Sequence, residues 1–275
     1  MGMRQFVIAG AGFAALLALE GCDGSGGGSG SSGAPASSST PAVALSPTPS
    51  SAPSSSAPPA SGTAPADDFT YEAPGKLQAG ATGVTDNHIY APGIRFPLKS
   101  PKAYPGSQLW SHGGAYGPDG SDQCDAVNWV YPWHDTFCEP RDYATPLCPS
   151  GQGHQGQDIR PSTCDKGVWP TVAAEAGTIV QITGWKVYLK SASTGRTFVY
   201  MHMAPDKLKV QVGDTVARGQ ELGFVSDYFP GGTSIHLHFE IMEAVTDSSG
   251  TLVTNVPPYT SLIDAYQRLL AGQDH

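Results

Sequence analysis

Positive charge is scarce in this chain of 275 residues: 15 lysines and arginines stand against 24 aspartates and glutamates, for a net charge of −9. Nothing resembles the basic stripe with which proteins neutralise phosphates, which argues against nucleic acid as a partner. The apolar run at residues 6–19 falls short of the about 20 apolar residues that a spanning helix needs. The five cysteines include no C-x2-C pair, the spacing on which zinc ribbons are built. No internal repeat divides the chain. Between residue 23 and about residue 65 there is almost no large apolar side chain. Such a segment cannot bury enough surface to offset the entropy of ordering it.

What precedes and fills that polar segment has a pattern of its own. Arg4 followed by the apolar run reads as an export signal over residues 1–21. It ends at Leu19-Glu20-Gly21-Cys22, which resembles a bacterial lipobox, with Cys22 as the lipid-bearing residue. Residues 22–66, first Gly/Ser-rich and then Pro-rich, are expected to act as a tether. The expected location is therefore outside the cytoplasm, lipid-anchored at a bacterial membrane and facing the periplasm or cell wall. The remaining cysteines, Cys124, Cys138, Cys148 and Cys164, are even in number, and in an exported chain they imply two disulfides. Three pairings are possible. Cys124–Cys138 with Cys148–Cys164 is favoured because it closes short local loops, each worth roughly 3 kcal/mol on the chain-entropy model.

Aromatic residues and alternation begin near Phe69, so one folded domain is expected over residues 67–275. Its Gly-, Pro- and Cys-rich stretch at about 111–153 reads as a disulfide-stapled insertion. Short strands are expected at 171–174, 177–182, 186–190, 197–203, 215–216, 222–225 and 235–242, separated by glycine-containing turns. One helix is expected at 261–271, where Leu262, Ile263, Tyr266, Leu269 and Leu270 recur near helical spacing. The fold class is all-β, mainly antiparallel twisted sheets with a C-terminal helix.

Chemistry concentrates in three places. In the last strand Leu237, Phe239 and Ile241 share one face, while His236, His238 and Glu240 share the other. In Gly153-His154-Gln155-Gly156-Gln157-Asp158, His154 and Asp158 would be ~13 Å apart on a straight strand. Gly151, Gly153 and Gly156 permit the turn that would bring them to one ion. In Tyr200-Met201-His202, strand alternation puts Tyr200 and His202 on a face opposite Met201 and Met203. Taken singly, each is better explained by a solvated face or a hydrogen-bonded histidine. His88, His112, His134 and His275 have no partner pattern.

Taken in order, GHQGQD, VAAEAGTIV, YMHM, VQVGDTVARGQELGFV and HLHFEI resemble the lysostaphin/LytM-type zinc metallopeptidases, which are cell-wall endopeptidases. The likeness covers about residues 151–242. It implies a LytM-like (duplicated hybrid motif) fold, one zinc per chain on His154, Asp158 and His238, and catalytic roles for His202 and His236. The stretch after Asp158, Pro161-Ser162-Thr163-Cys164, and the Gly-Gly-Thr-Ser-Ile before HLH depart from the family's usual residues, as does the cysteine-bearing insertion.

Two neutral imidazoles and one carboxylate give a zinc site of net charge +1 with an open position, which acidifies bound water to a pKa of about 7. His236 would transfer the proton and His202 would steady the oxyanion, though the two could exchange roles. The expected activity is hydrolysis of peptide cross-links in bacterial peptidoglycan, with peptidoglycan peptide stems as partners and a monomer acting alone. An inactive LytM-like regulator of other wall hydrolases is the alternative. A biotinyl/lipoyl-type carrier shares V-x-V-G-D-x-V-x-x-G-Q-x-L, but no acceptor lysine stands at a hairpin tip, and a carrier has no use for the histidines.

Overall fold

Runs of β-branched and aromatic residues, cut by glycines, pair here into antiparallel sheets. The structure, a computed structural model, describes residues 68–77, 82–106, 123–230, 232–248 and 250–274. The expected export signal, Cys22, the tether and residues 111–122 of the insertion lie outside them. Among the described residues ten strands form: β1 (Tyr104–Pro105), β2 (Gln157–Arg160), β3 (Pro170–Val172), β4 (Gly177–Thr183), β5 (Lys186–Ser191), β6 (Thr197–Met201), β7 (Thr215–Val216), β8 (Glu221–Phe224), β9 (Leu237–Asp247) and β10 (Gly250–Val256). Eight of them make one sheet in the order β1-β2-β9-β6-β5-β4-β7, with β10 paired to β9, and β3 pairs with β8 in a second. All these pairings are antiparallel.

Alternation decides which face is inside. In β5, Val187 and Leu189 are buried while Lys186, Tyr188 and Lys190 are more open. They join Ile179, Phe198, Leu237, Phe239 and Ile241 in the main core. Phe198 stacks on Phe239 at 5.9 Å, and Tyr200 meets the same ring edge-on at 5.4 Å. The helix α1 (Tyr259–Leu270) starts two residues before the expected position. Its Tyr266 packs on Trp133 (4.6 Å), Phe96 (4.9 Å) and Phe69 (4.9 Å), joining three distant pieces of chain into one aromatic layer. Among the described residues no helix is long and apolar enough to cross a membrane.

Three features differ from expectation. First, β2 is a strand, although three of its four residues are polar and all four are buried. Second, β10 pairs with β9 over seven residues; its first four are exposed and only its last three buried, so no alternation marked it. Third, the favoured cysteine pairing does not occur. Cys124 bonds Cys164 and Cys138 bonds Cys148, with Cα atoms 5.5 and 5.4 Å apart. Loop length is a weak guide because closure entropy is logarithmic, so loops of 10 and 40 residues differ by only about 1 kcal/mol. Packing outweighs it: Cys138 and Cys148 lie together with Leu77 and Phe137 in a small second core.

Candidate metal centre

The register of one strand pair creates the centre. Asp158 in β2 is the direct partner of His238 in β9, and His238 is in turn opposite Met201 of β6. Directly opposed residues share a face, so the carboxylate and the imidazole meet, with His238 Nδ1 2.9 Å from Asp158 Oδ1. His154 reaches the same oxygen from the preceding loop, its Nε2 3.3 Å away. His236, just ahead of β9, brings its Nε2 to 3.4 Å. One ligand atom each from His154, Asp158 and His238 lies within 4.8 Å of the others.

The turn expected between His154 and Asp158 is present, and Gly156 allows it. A Cβ on Gly156 would lie 2.5 Å from the Phe239 carbonyl and 2.8 Å from His238 Nε2, so no side chain fits where the loop crosses the imidazole. Gly153 seats against Cys138 in the same way, with a built Cβ 2.7 Å from Cys138 Cα. The insertion thereby grips the first histidine. His154 N donates to the Glu139 carbonyl at 2.9 Å, and Cys138 N donates to the His154 carbonyl at 3.0 Å. Thr136 adds two contacts: its carbonyl accepts from His154 Nδ1 at 2.9 Å, and its hydroxyl accepts from Asp158 N at 3.1 Å.

These contacts fix tautomers, because a nitrogen facing a carbonyl must carry the proton. His154 Nδ1 is committed to Thr136, leaving Nε2 toward Asp158. His238 Nε2 donates to Glu240 at 3.1 Å, and Asn255 holds the other Glu240 oxygen at 2.8 Å. His202 Nδ1 faces the Tyr228 carbonyl at 3.1 Å, and His236 Nδ1 faces the Ser234 carbonyl at 2.9 Å. Each ring thus keeps one nitrogen for the centre.

Electrostatics follow from burial and crowding. Burial pushes the Asp158 carboxyl up, but the imidazoles of His154 and His236 outweigh it and hold the group well below the usual range. Burial lowers His154, with only partial opposition from Asp158. Burial followed by the nearby His236 and His238 rings holds His202 well below the usual imidazole value. For His238, burial acts downward but Asp158 and Glu240 prevail, raising it to about 9.

The arrangement fits a divalent cation. Asp158 Oδ2 and His236 Nε2 are buried without a hydrogen-bond partner among the described residues, an arrangement rare for buried polar atoms unless an ion or water satisfies them. Two imidazoles and one carboxylate are also a zinc donor set.

The expectation for Tyr200 and His202 needs correction. Tyr200 is in the core, its hydroxyl accepting from Ala174 N, while His202 stands in the cleft. The strand ends at Met201, and His202 adopts φ +61°, a left-handed conformation that reverses the alternation. Trp185 stacks on His202 at 5.1 Å and Phe229 meets it at 5.8 Å, while His202 and His236 lie 4.5 Å apart. Glu240 was already marked by alternation. Thr136, Trp185, Phe229 and Asn255 carry no signal of their own in the sequence.

Residues 152–250 match Peptidase family M23. Among curated proteins there is no match. Three solved structures illustrate the wider likeness. One is named as a glycyl-glycine endopeptidase lytM from Ruminococcus gnavus, 25% identical over 42% of this chain and 47% of that one, with a TM-score of 0.33. The chain thus spans about half of that protein's length. Another is the catalytic domain of the antimicrobial peptidase lysostaphin from Staphylococcus simulans, at 26% identity, 44% and 85% coverage and a TM-score of 0.32. The third is the SpoIIIAH and SpoIIQ complex, at 16% identity, 61% and 98% coverage and a TM-score of 0.37.

Proposed function

Residues 152–250 form a domain of peptidase family M23, and from that premise we propose that the protein is a zinc-dependent endopeptidase that hydrolyses peptide cross-links of bacterial peptidoglycan. The observation that carries this reading is the convergence of His154, Asp158 and His238 within 4.8 Å, beside two further imidazoles. These three would hold the ion, which when bound supplies a Lewis acid and acidified water.

The chain's own residues do the rest. A cleft of about 220 Å³ opens over the centre, lined by His154, His202 and His238 together with Met201, Phe229 and Thr233. Its apolar members exclude water and so strengthen charge interactions inside. His202 reaches this cleft with a bare Nε2, which favours it as the proton acceptor. Sequence reasoning assigns that task to His236, with the two roles interchangeable. His236, fully buried beside it, would take the role of steadying developing negative charge. An inactive regulator would have no need of the intact ligand set and the two oriented histidines.

Digestion of purified sacculi, with mass analysis of the soluble fragments, tests the reading. We expect release of peptide-linked fragments, its loss on chelation and its return with zinc. Sacculi that stay intact, or release that chelator leaves unchanged, would sink it.

A further inference from the structure

The insertion does more than hold His154. Between Cys138 and Cys148 it forms a loop closed by a disulfide, and Arg141 and Tyr143 from that loop line the cleft over the metal centre. The same two residues also line a larger open groove of about 880 Å³ alongside it. Arg141 therefore stands where the two meet. The loop is held in place by several bonds: Gly153 N to the Tyr143 carbonyl (2.9 Å), Thr145 N to the Gly151 carbonyl (3.0 Å), and Thr145 Oγ1 to the Gly153 carbonyl (2.8 Å). The guanidinium is itself anchored from behind. One terminal nitrogen donates to the Pro140 carbonyl at 2.6 Å and the other pairs with buried Glu139 at 3.4 Å. A guanidinium has five N–H donors, so these contacts orient the group and leave donors over. Its side chain is 14% exposed. A planar fork, partly shielded from water and pre-oriented, is suited to grip a carboxylate.

We propose that Arg141 is a specificity-determining residue that binds a carboxylate of the peptide substrate in the cleft beside the metal centre. The substrate class is then an anionic peptide. The carboxylate is either the free chain end or an acidic side chain near the scissile bond, and both offer the same two oxygens. This inference rests on the peptidase reading above.

Two matched pairs of synthetic fluorescent peptides distinguish the sources: one pair ends in a carboxylate or an amide, the other carries glutamate or glutamine beside the scissile bond. For each, kcat/KM and binding by fluorescence anisotropy are measured on the full zinc-loaded protein. The wild type is expected to favour the acid over its neutral partner by about tenfold in one pair, and that pair identifies the source. Arg141→Met should bring the ratio close to one, and Arg141→Lys should leave an intermediate ratio, because it keeps charge but loses the fork. A merely structural role would weaken both members of a pair equally. Should Arg141→Met melt at lower temperature, Arg141→Lys still reads the ratio. A wild-type ratio near one in both pairs, a ratio that Arg141→Met retains, or no binding of either acid overturns the proposal. Arg141-dependent binding without any cleavage would instead defeat the peptidase reading alone.

Discussion

The centre is assembled from two kinds of structure. Asp158 and His238 sit on β2 and β9, opposed across a ladder and flanked by further strands. His154, His202 and His236 sit where the chain enters or leaves the sheet, and they depend on glycines, on a left-handed backbone and on carbonyls that orient their rings. The sheet fixes distance through its 4.7–4.9 Å strand spacing and its pleat. Loops fix direction, one hydrogen bond at a time. Of the three proposed ligands, two come from the rigid kind and one from the loop kind, whereas both non-ligand imidazoles belong to the loops.

That division can be tested. The largest effect is expected for His238→Ala, which removes a ligand from the sheet: zinc content by elemental analysis should fall to background and cleavage should vanish. Retained metal would show that the sheet pair is not the seat of the ion. His202→Ala should act differently, keeping its metal while cleavage falls by about 10²–10⁴-fold, the usual range for a lost acid–base group. Equal loss of metal would erase the distinction between the two sets. The smallest change is expected for Glu240→Gln, which weakens only the bond that orients His238. Metal affinity, measured by competition with a chromogenic chelator, should drop about 10–100-fold. An unchanged affinity would mean the strand alone aims the ring.

The parts legible in the sequence are those where strand alternation runs unbroken. Leu237, Phe239 and Ile241 face the core, and His238 and Glu240 face the site, as a period of two requires. The turn between His154 and Asp158 was legible from its glycines. The rest was hidden for stateable reasons. β2 is buried yet polar because its Asp158 serves the centre and its Arg160 lies over Trp129, 4.8 Å from the ring centre, so hydrophobic periodicity could not mark it. His202 is marked by the family resemblance, but its face is misplaced because one left-handed residue cancels the alternation that set it beside Tyr200. The two disulfides were legible from an even cysteine count, but their pairing was not, because contact, rather than separation along the chain, decides which sulfurs meet. Arg141 drew no notice because no motif surrounds it; only the fold carries its loop to the cleft wall.

The opposed pair of Asp158 and His238 has a last implication. Sliding β9 by a single position would bury an imidazole in the apolar interior and turn Leu237 or Phe239 out into the cleft. Misplacing the ligands would therefore mean disrupting the core at the same time. Hydrophobic packing proofreads the chemistry: any molecule that has folded its interior correctly has already set Asp158 and His238 in register.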